Sequence, residues 1–83
     1  MWTESENKLI KNFQFESFEQ AMEFMQLAAV PISRLNHHPE WKNVYNRIEV
    51  HLTTHDAGNT VTDLDWKLAE ILDAVFNRMK AQN

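Results

Sequence analysis

The sequence predicts an α+β fold in two layers, an antiparallel sheet with both helices packed on one face, in β-β-α-β-β-α order. Three observations predict it. Two segments alternate apolar and polar residues with a period of two, two longer segments repeat apolar residues at steps of three and four, and the two kinds alternate along the chain. Strands that are apolar on one side need one covered face, and amphipathic helices supply the cover.

The first strand pattern runs from Lys8 to Phe15, with Leu9, Phe13 and Phe15 on one side and Ile10, Asn12 and Gln14 on the other. Lys11 interrupts its apolar side. Trp2 to Glu6 reads as a short partner strand, with Asn7 in the turn. Ser17-Phe18-Glu19-Gln20 has the form of a capping box and opens a helix marked by Phe18, Met22, Met25, Ala29 and Ile32. Pro31 removes one backbone bond, so a kink or thinning is expected near Val30, with the helix running on weakly to about Leu35. His37-His38-Pro39 then forms a loop. Arg47 to Thr54 is the clearest strand: Ile48, Val50, Leu52 and Thr54 face one way, and Arg47, Glu49, His51 and Thr53 the other. Asn43-Val44-Tyr45 is expected to pair with it or with a neighbour. Asp56-Ala57-Gly58-Asn59 is a turn by composition. Thr62 can cap a second helix whose stripe is Leu64, Leu68, Ile71, Leu72, Val75, Phe76 and Met79. Asp63 and Asp65 suit its start, and Arg78 and Lys80 suit its end.

With 83 residues and no internal repeat, one domain over 1–83 is expected, small enough that oligomerisation would be a natural support. Cysteine is absent, which excludes disulfides and thiolate zinc sites. Eight Lys+Arg against twelve Asp+Glu give a formal charge of −4, and no basic cluster offsets it, so direct nucleic-acid binding is not expected. There is no apolar run long enough for a membrane span and no export signal at Met1 to Glu6, which makes the cytoplasm the expected location.

All four histidines lie between positions 37 and 55. Pro39 holds His38 out of helical geometry, and His55 stands where the best strand ends. Imidazole titrates near neutral pH, so one ring can give a proton while another takes one. Scattered surface histidines are the plain alternative. Metal binding is disfavoured, because adjacent side chains in an extended segment point apart and His37 and His38 are poorly placed to share an ion. Trp41 could wall a pocket, although packing is the commoner role of such a residue.

Several spaced segments together resemble a known family. Asn36-His37-His38-Pro39-Glu40-Trp41, Asn43-Val44-Tyr45-Asn46 and Thr53-Thr54-His55-Asp56 closely resemble the pterin-4a-carbinolamine dehydratases. Ser17-Phe18, Ala21-Met22-Glu23-Phe24-Met25 and Asp65-Trp66-Lys67-Leu68-Ala69 are similar to the same family. The resemblance spans nearly the whole chain from Trp2. It implies an antiparallel sheet with helices on one side, assembled as homodimers or homotetramers, and an enzyme that removes water from a 4a-hydroxytetrahydropterin without metal or cofactor. It assigns the pterin pocket to His37, His38, Pro39 and His55, bordered by Thr54, Asp56 and Ala57, with Asp65 orienting His55. On that basis His38 and His55 are expected to act as the acid–base pair while His37 holds the ring.

Three departures accompany the resemblance. Ser33 stands four residues before the histidine pair, where many members carry an acid. One extra residue at Asn59 or Thr60 opens the alternative that Asp63 takes the place of Asp65. The helix that precedes the tryptophan in most members has no counterpart before Trp2, which leaves more apolar surface to cover. Two other functions fit the resemblance: a non-catalytic dimerisation or coactivator module, as for members that partner a homeodomain transcription factor, and an enzyme of the same type acting on another pterin. The retained histidines favour the dehydratase over a scaffold.

Overall fold

Leu9, Phe13, Ile48, Val50 and Leu52 are sealed from solvent, and they are the inward side of the two strand patterns. The structure, a computed structural model, describes residues 1–81. Its strands are β1 (Thr3–Ser5), β2 (Lys8–Gln14), β3 (Glu40–Val44) and β4 (Arg47–Leu52), and its helices are α1 (Phe18–Leu35) and α2 (Asp63–Ala81). The strands form one sheet in the order β1-β2-β4-β3, and each neighbouring pair is antiparallel. The predicted α+β architecture is therefore the observed one.

Register explains which face is covered. Leu9 pairs with Leu52, Lys11 with Val50 and Phe13 with Ile48, so the apolar residues of β2 and β4 share the helix-facing side. The phenylalanines cement the layers: Phe13 and Phe24 have ring centroids 5.0 Å apart, and Phe13 and Phe76 5.1 Å. Lys11, the apparent break in the pattern, keeps its stem on this side with Nζ 4.9 Å from the Phe13 ring centroid. Its ammonium ends 2.7 Å from Asp73 Oδ1 on α2. A long basic side chain can line a core in this way when its head finds an acid at the margin.

Both helices start and stop close to where the sequence places them, with differences at their caps. Thr62, expected to cap α2 with its side chain, instead gives its amide to Asp65 Oδ2 and its hydroxyl to Thr54. Ser17 Oγ accepts the Gln20 amide, whereas Gln20 Oε1 reaches back to the amide of Glu16 rather than Ser17. Helix α1 continues through Pro31 to Leu35, held in its last turn by the burial of Ile32. Asn36 stops it with φ 54°, its amide donating to the carbonyls of Ile32 and Ser33. Strand β3 starts earlier than the pattern indicates, at Glu40, and Tyr45 lies in the turn with φ 52°. No helix among the described residues is long and apolar enough to cross a membrane.

Candidate active site

The site is built where the loop after α1, the end of β4 and the start of α2 meet. Asn36 turns the chain out of α1 in the left-handed region, so His37 is delivered towards α2 as soon as the helix ends. There His37 Nε2 lies 2.6 Å from Asp65 Oδ1. Asp65 is fully buried, and the side chain of His37 is 11% exposed. The other carboxylate oxygen accepts the Thr54 hydroxyl at 2.7 Å and the Thr62 amide at 2.9 Å. Because Thr54 gives its hydrogen to Asp65, the Thr62 hydroxyl, 2.7 Å from Thr54 Oγ1, must donate to Thr54. A carboxylate has no hydrogen to give, so the proton between the pair belongs to His37 Nε2. Burial of a polar group this complete is tolerated because each oxygen is satisfied and the first turn of a helix favours negative charge.

His38 goes the other way. It lines a cleft of about 340 Å³ at the end of the sheet, on the face away from the helices, together with Glu40, His51, Thr53, His55 and Asn59. The β1–β2 turn, with Glu6 and Asn7 both at positive φ, and Lys8 complete the wall. Thr53 ties this turn to the sheet through a 3.0 Å bond from its hydroxyl to the Asn7 carbonyl. His55 sits on a short 3₁₀ turn, His55–Ala57. The turn is closed by the amides of Ala57 and Asn59, which both donate to the Thr54 carbonyl. Gly58 and Asn59 take positive φ to complete it, and the Asn59 side-chain oxygen bonds His55 Nδ1.

The structure thus brings His38 and His55 into one cleft and places His37 outside its wall. The expected pairing of Asp65 with His55 is not found: Asp65 holds His37, and Asn59 holds His55. The reason lies in the chain path, since the Thr54 and Thr62 bonds pull the Asp65 carboxylate under β4 while the 3₁₀ turn carries His55 outward. Between the two aspartates, Asp65 is the buried one and Asp63 is exposed, so Asp63 does not take the place of Asp65. The Thr54 hydroxyl is committed to Asp65. Pro39 is half-buried, and Asp56 and Ala57 are exposed on the turn of His55; none of the three lines the cleft. Ser33 lies on the exposed side of α1. Trp41 packs on the core, opposite Val50.

Sequence reasoning missed His51, Thr53, Glu40 and Lys8 as parts of the cleft. A signal existed: Glu49, His51 and Thr53 alternate on the solvent side of β4 and lead to His55. No group of three or more His, Asp or Glu residues suited to a metal ion occurs among the described residues.

Comparison with known proteins identifies relatives of the chain and of its fold. The family model described as Pterin 4 alpha carbinolamine dehydratase matches residues 1–75. A protein of Prochlorococcus marinus is 46% identical over 74 residues, covering 89% of this chain and 76% of its own. One of Solibacter usitatus is 49% identical over the same length, with 77% of its own chain covered. Both carry the name "putative pterin-4-alpha-carbinolamine dehydratase". A crystal structure of a transcriptional coactivator/pterin dehydratase from Brucella melitensis superposes with a TM-score of 0.83 at 41% identity, over 89% of this chain and 80% of that one. A pterin dehydratase-like protein described as a RuBisCO assembly factor of the alpha-carboxysome shares the fold, with a TM-score of 0.74 at 18% identity over 92% and 87% of the chains. By sequence and by fold, the chain belongs to the pterin-4a-carbinolamine dehydratase family.

Proposed function

We propose that the protein dehydrates a 4a-hydroxytetrahydropterin to the quinonoid dihydropterin, with His38 and His55 as the proton-transfer pair. The observation that supports this reading is their meeting, from two separate loops, in one cleft of about 340 Å³. That volume lies within the range of small-molecule sites. One imidazole protonates the 4a-hydroxyl as the C4a–O bond breaks, and the other takes the N5 proton. The electron pair of that N–H bond becomes the second bond between C4a and N5, and water leaves. His37, committed to Asp65, holds the loop that carries His38 rather than the ring of the substrate. Pro39 narrows the backbone freedom of His38.

The test is turnover of freshly generated 4a-hydroxytetrahydropterin, followed by absorbance against its spontaneous dehydration. Acceleration by the wild type that is lost in His38→Ala supports the proposal. A folded wild type that leaves the spontaneous rate unchanged overturns it.

The same reading includes a homodimer or homotetramer. Leu27 and Val30 are exposed on α1, and with Pro31, Ile71 and Val75 they line a groove of about 720 Å³ between the helices. An apolar surface of this kind on so small a domain fits a second copy. Sedimentation velocity checks it: the wild type should sediment as an oligomer and Val30→Glu as a smaller species.

A further inference from the structure

The proton-transfer scheme does not use the third histidine of the cleft, His51. His51 stands on the open face of β4, two residues from Glu49, and its Nε2 lies 2.6 Å from Glu49 Oε2. The carboxylate can only accept, so in the neutral ring the proton sits on Nε2 and Nδ1 presents a lone pair. That Nδ1 is shielded from solvent and has no hydrogen-bond partner among the described residues. A buried acceptor left without a donor costs free energy, and such atoms mark places where a partner is missing.

The group facing it is also an acceptor. Glu40 is the cross-strand partner of His51, and its Oε1 lies 4.0 Å from His51 Nδ1. Lys8 Nζ holds the same oxygen at 3.3 Å from the outer side. The Glu40 side chain is 75% exposed, so it can yield by a rotamer change when a ligand enters. A fixed lone pair and a carboxylate that can turn to meet it together suit one nitrogen that bears two hydrogens. With each bond about 2.9 Å long, an amino group can donate one hydrogen to each.

We propose that His51 Nδ1 and the Glu40 carboxylate form the subsite for the 2-amino group of the pterin, which makes His51 a specificity-determining residue. The inference rests on the dehydratase reading. Both residues line the cleft that holds His38 and His55. Anchoring the pyrimidine edge there leaves the C4a–N5 edge of the ring for the two proton-transfer histidines. A ring with a carbonyl at position 2 meets two acceptors and is rejected, since a site built for a donor discriminates strongly against a ligand that lacks it.

The experiment compares binding of pterin and of lumazine, its 2-oxo counterpart, by fluorescence titration to wild type, His51→Ala and Glu40→Ala. Thermal melts confirm that each variant is folded; Glu40 is an exposed residue on an edge strand, so its removal leaves the core intact. The wild type should prefer pterin by about tenfold or more, the worth of one good hydrogen bond, and both variants should lose most of that preference. In turnover, His51→Ala should raise KM while kcat is largely kept, because a binding contact is removed and the proton-transfer pair remains. Full preference for pterin in folded His51→Ala overturns the subsite, as does a wild type that accelerates dehydration without discriminating. A wild type that binds neither pteridine and accelerates nothing overturns the subsite and the dehydratase reading together.

Discussion

The imidazole of His37 and the carboxylate of Asp65 are joined at 2.6 Å beneath the surface, and this bond ties the loop after α1 to the first turn of α2. Asp65 also holds Thr54 and the Thr62 amide, so three segments converge on one carboxylate. Replacing it by Asn keeps the volume but supplies one acceptor oxygen where two are used, and sets an amide donor against a donor. Asp65→Asn should therefore lose about 1–3 kcal/mol of stability, the cost of a buried polar group left without its partner. Urea denaturation measures this, and a loss below about 0.5 kcal/mol would show that the network is dispensable.

His37 and His38 are neighbours in sequence with different consequences on replacement. His38→Ala should fold with near-native stability, because the side chain lies exposed on the cleft wall, and should lose about a hundredfold or more in kcat. His37→Ala removes a largely buried ring and leaves Asp65 Oδ1 unpaired, so its melting temperature should fall as well as its activity. Parallel melting and turnover measurements on the two variants separate the roles. Equal stability losses would remove the distinction between a proton-transfer residue and an anchor.

Much of this arrangement could be read from the residues. The alternation of Ile48, Val50 and Leu52 with Glu49, His51 and Thr53 defined β4 and its covered face, because burial on one side of a sheet imposes a period of two. The separation of His37 from His38 follows the same rule, since adjacent extended residues point apart. The partner of Asp65 was not legible. Which histidine the carboxylate reaches depends on how α2 packs against β4, and no local pattern encodes that distance. Strand β3 was hidden for a related reason: Glu40 and Lys42 face solvent on an edge strand, so the segment lacks an apolar run. The place of Lys11 depended on Asp73, far along the chain, and became clear only with both elements in place.

Asn59 gives a test of positioning without loss of fold. Its backbone is in the left-handed region at φ 59°, which glycine adopts freely, and its side chain holds His55 Nδ1. Asn59→Gly keeps the loop path and frees the ring to rotate. Thermal stability should stay within about 1 kcal/mol of wild type. The expected result is a several-fold drop in kcat that is smaller than that of His55→Ala. Equal losses in the two variants would mean that Asn59 does more than hold the ring.

Lys11 is a charged residue on the covered side of the sheet whose charge should be cheap to remove. Its ammonium meets Asp73 at 2.7 Å, and the Trp2 indole donates to the other oxygen of the same carboxylate at 3.1 Å. The Asp73 side chain is about one-third exposed, so water can replace the ammonium, and the pair gains little beyond the cost of dehydrating it. Lys11→Met keeps an apolar stem against Phe13 and should change stability by less than about 1 kcal/mol. Lys11→Ala also removes the stem and should be the worse of the two, while Phe13→Ala, at the centre of the ring cluster, should cost about 3–5 kcal/mol. Chemical denaturation of the three variants orders these effects. A Lys11→Met loss as large as that of Phe13→Ala would mean that the charge, and not the packing of the stem, fastens β2 to α2.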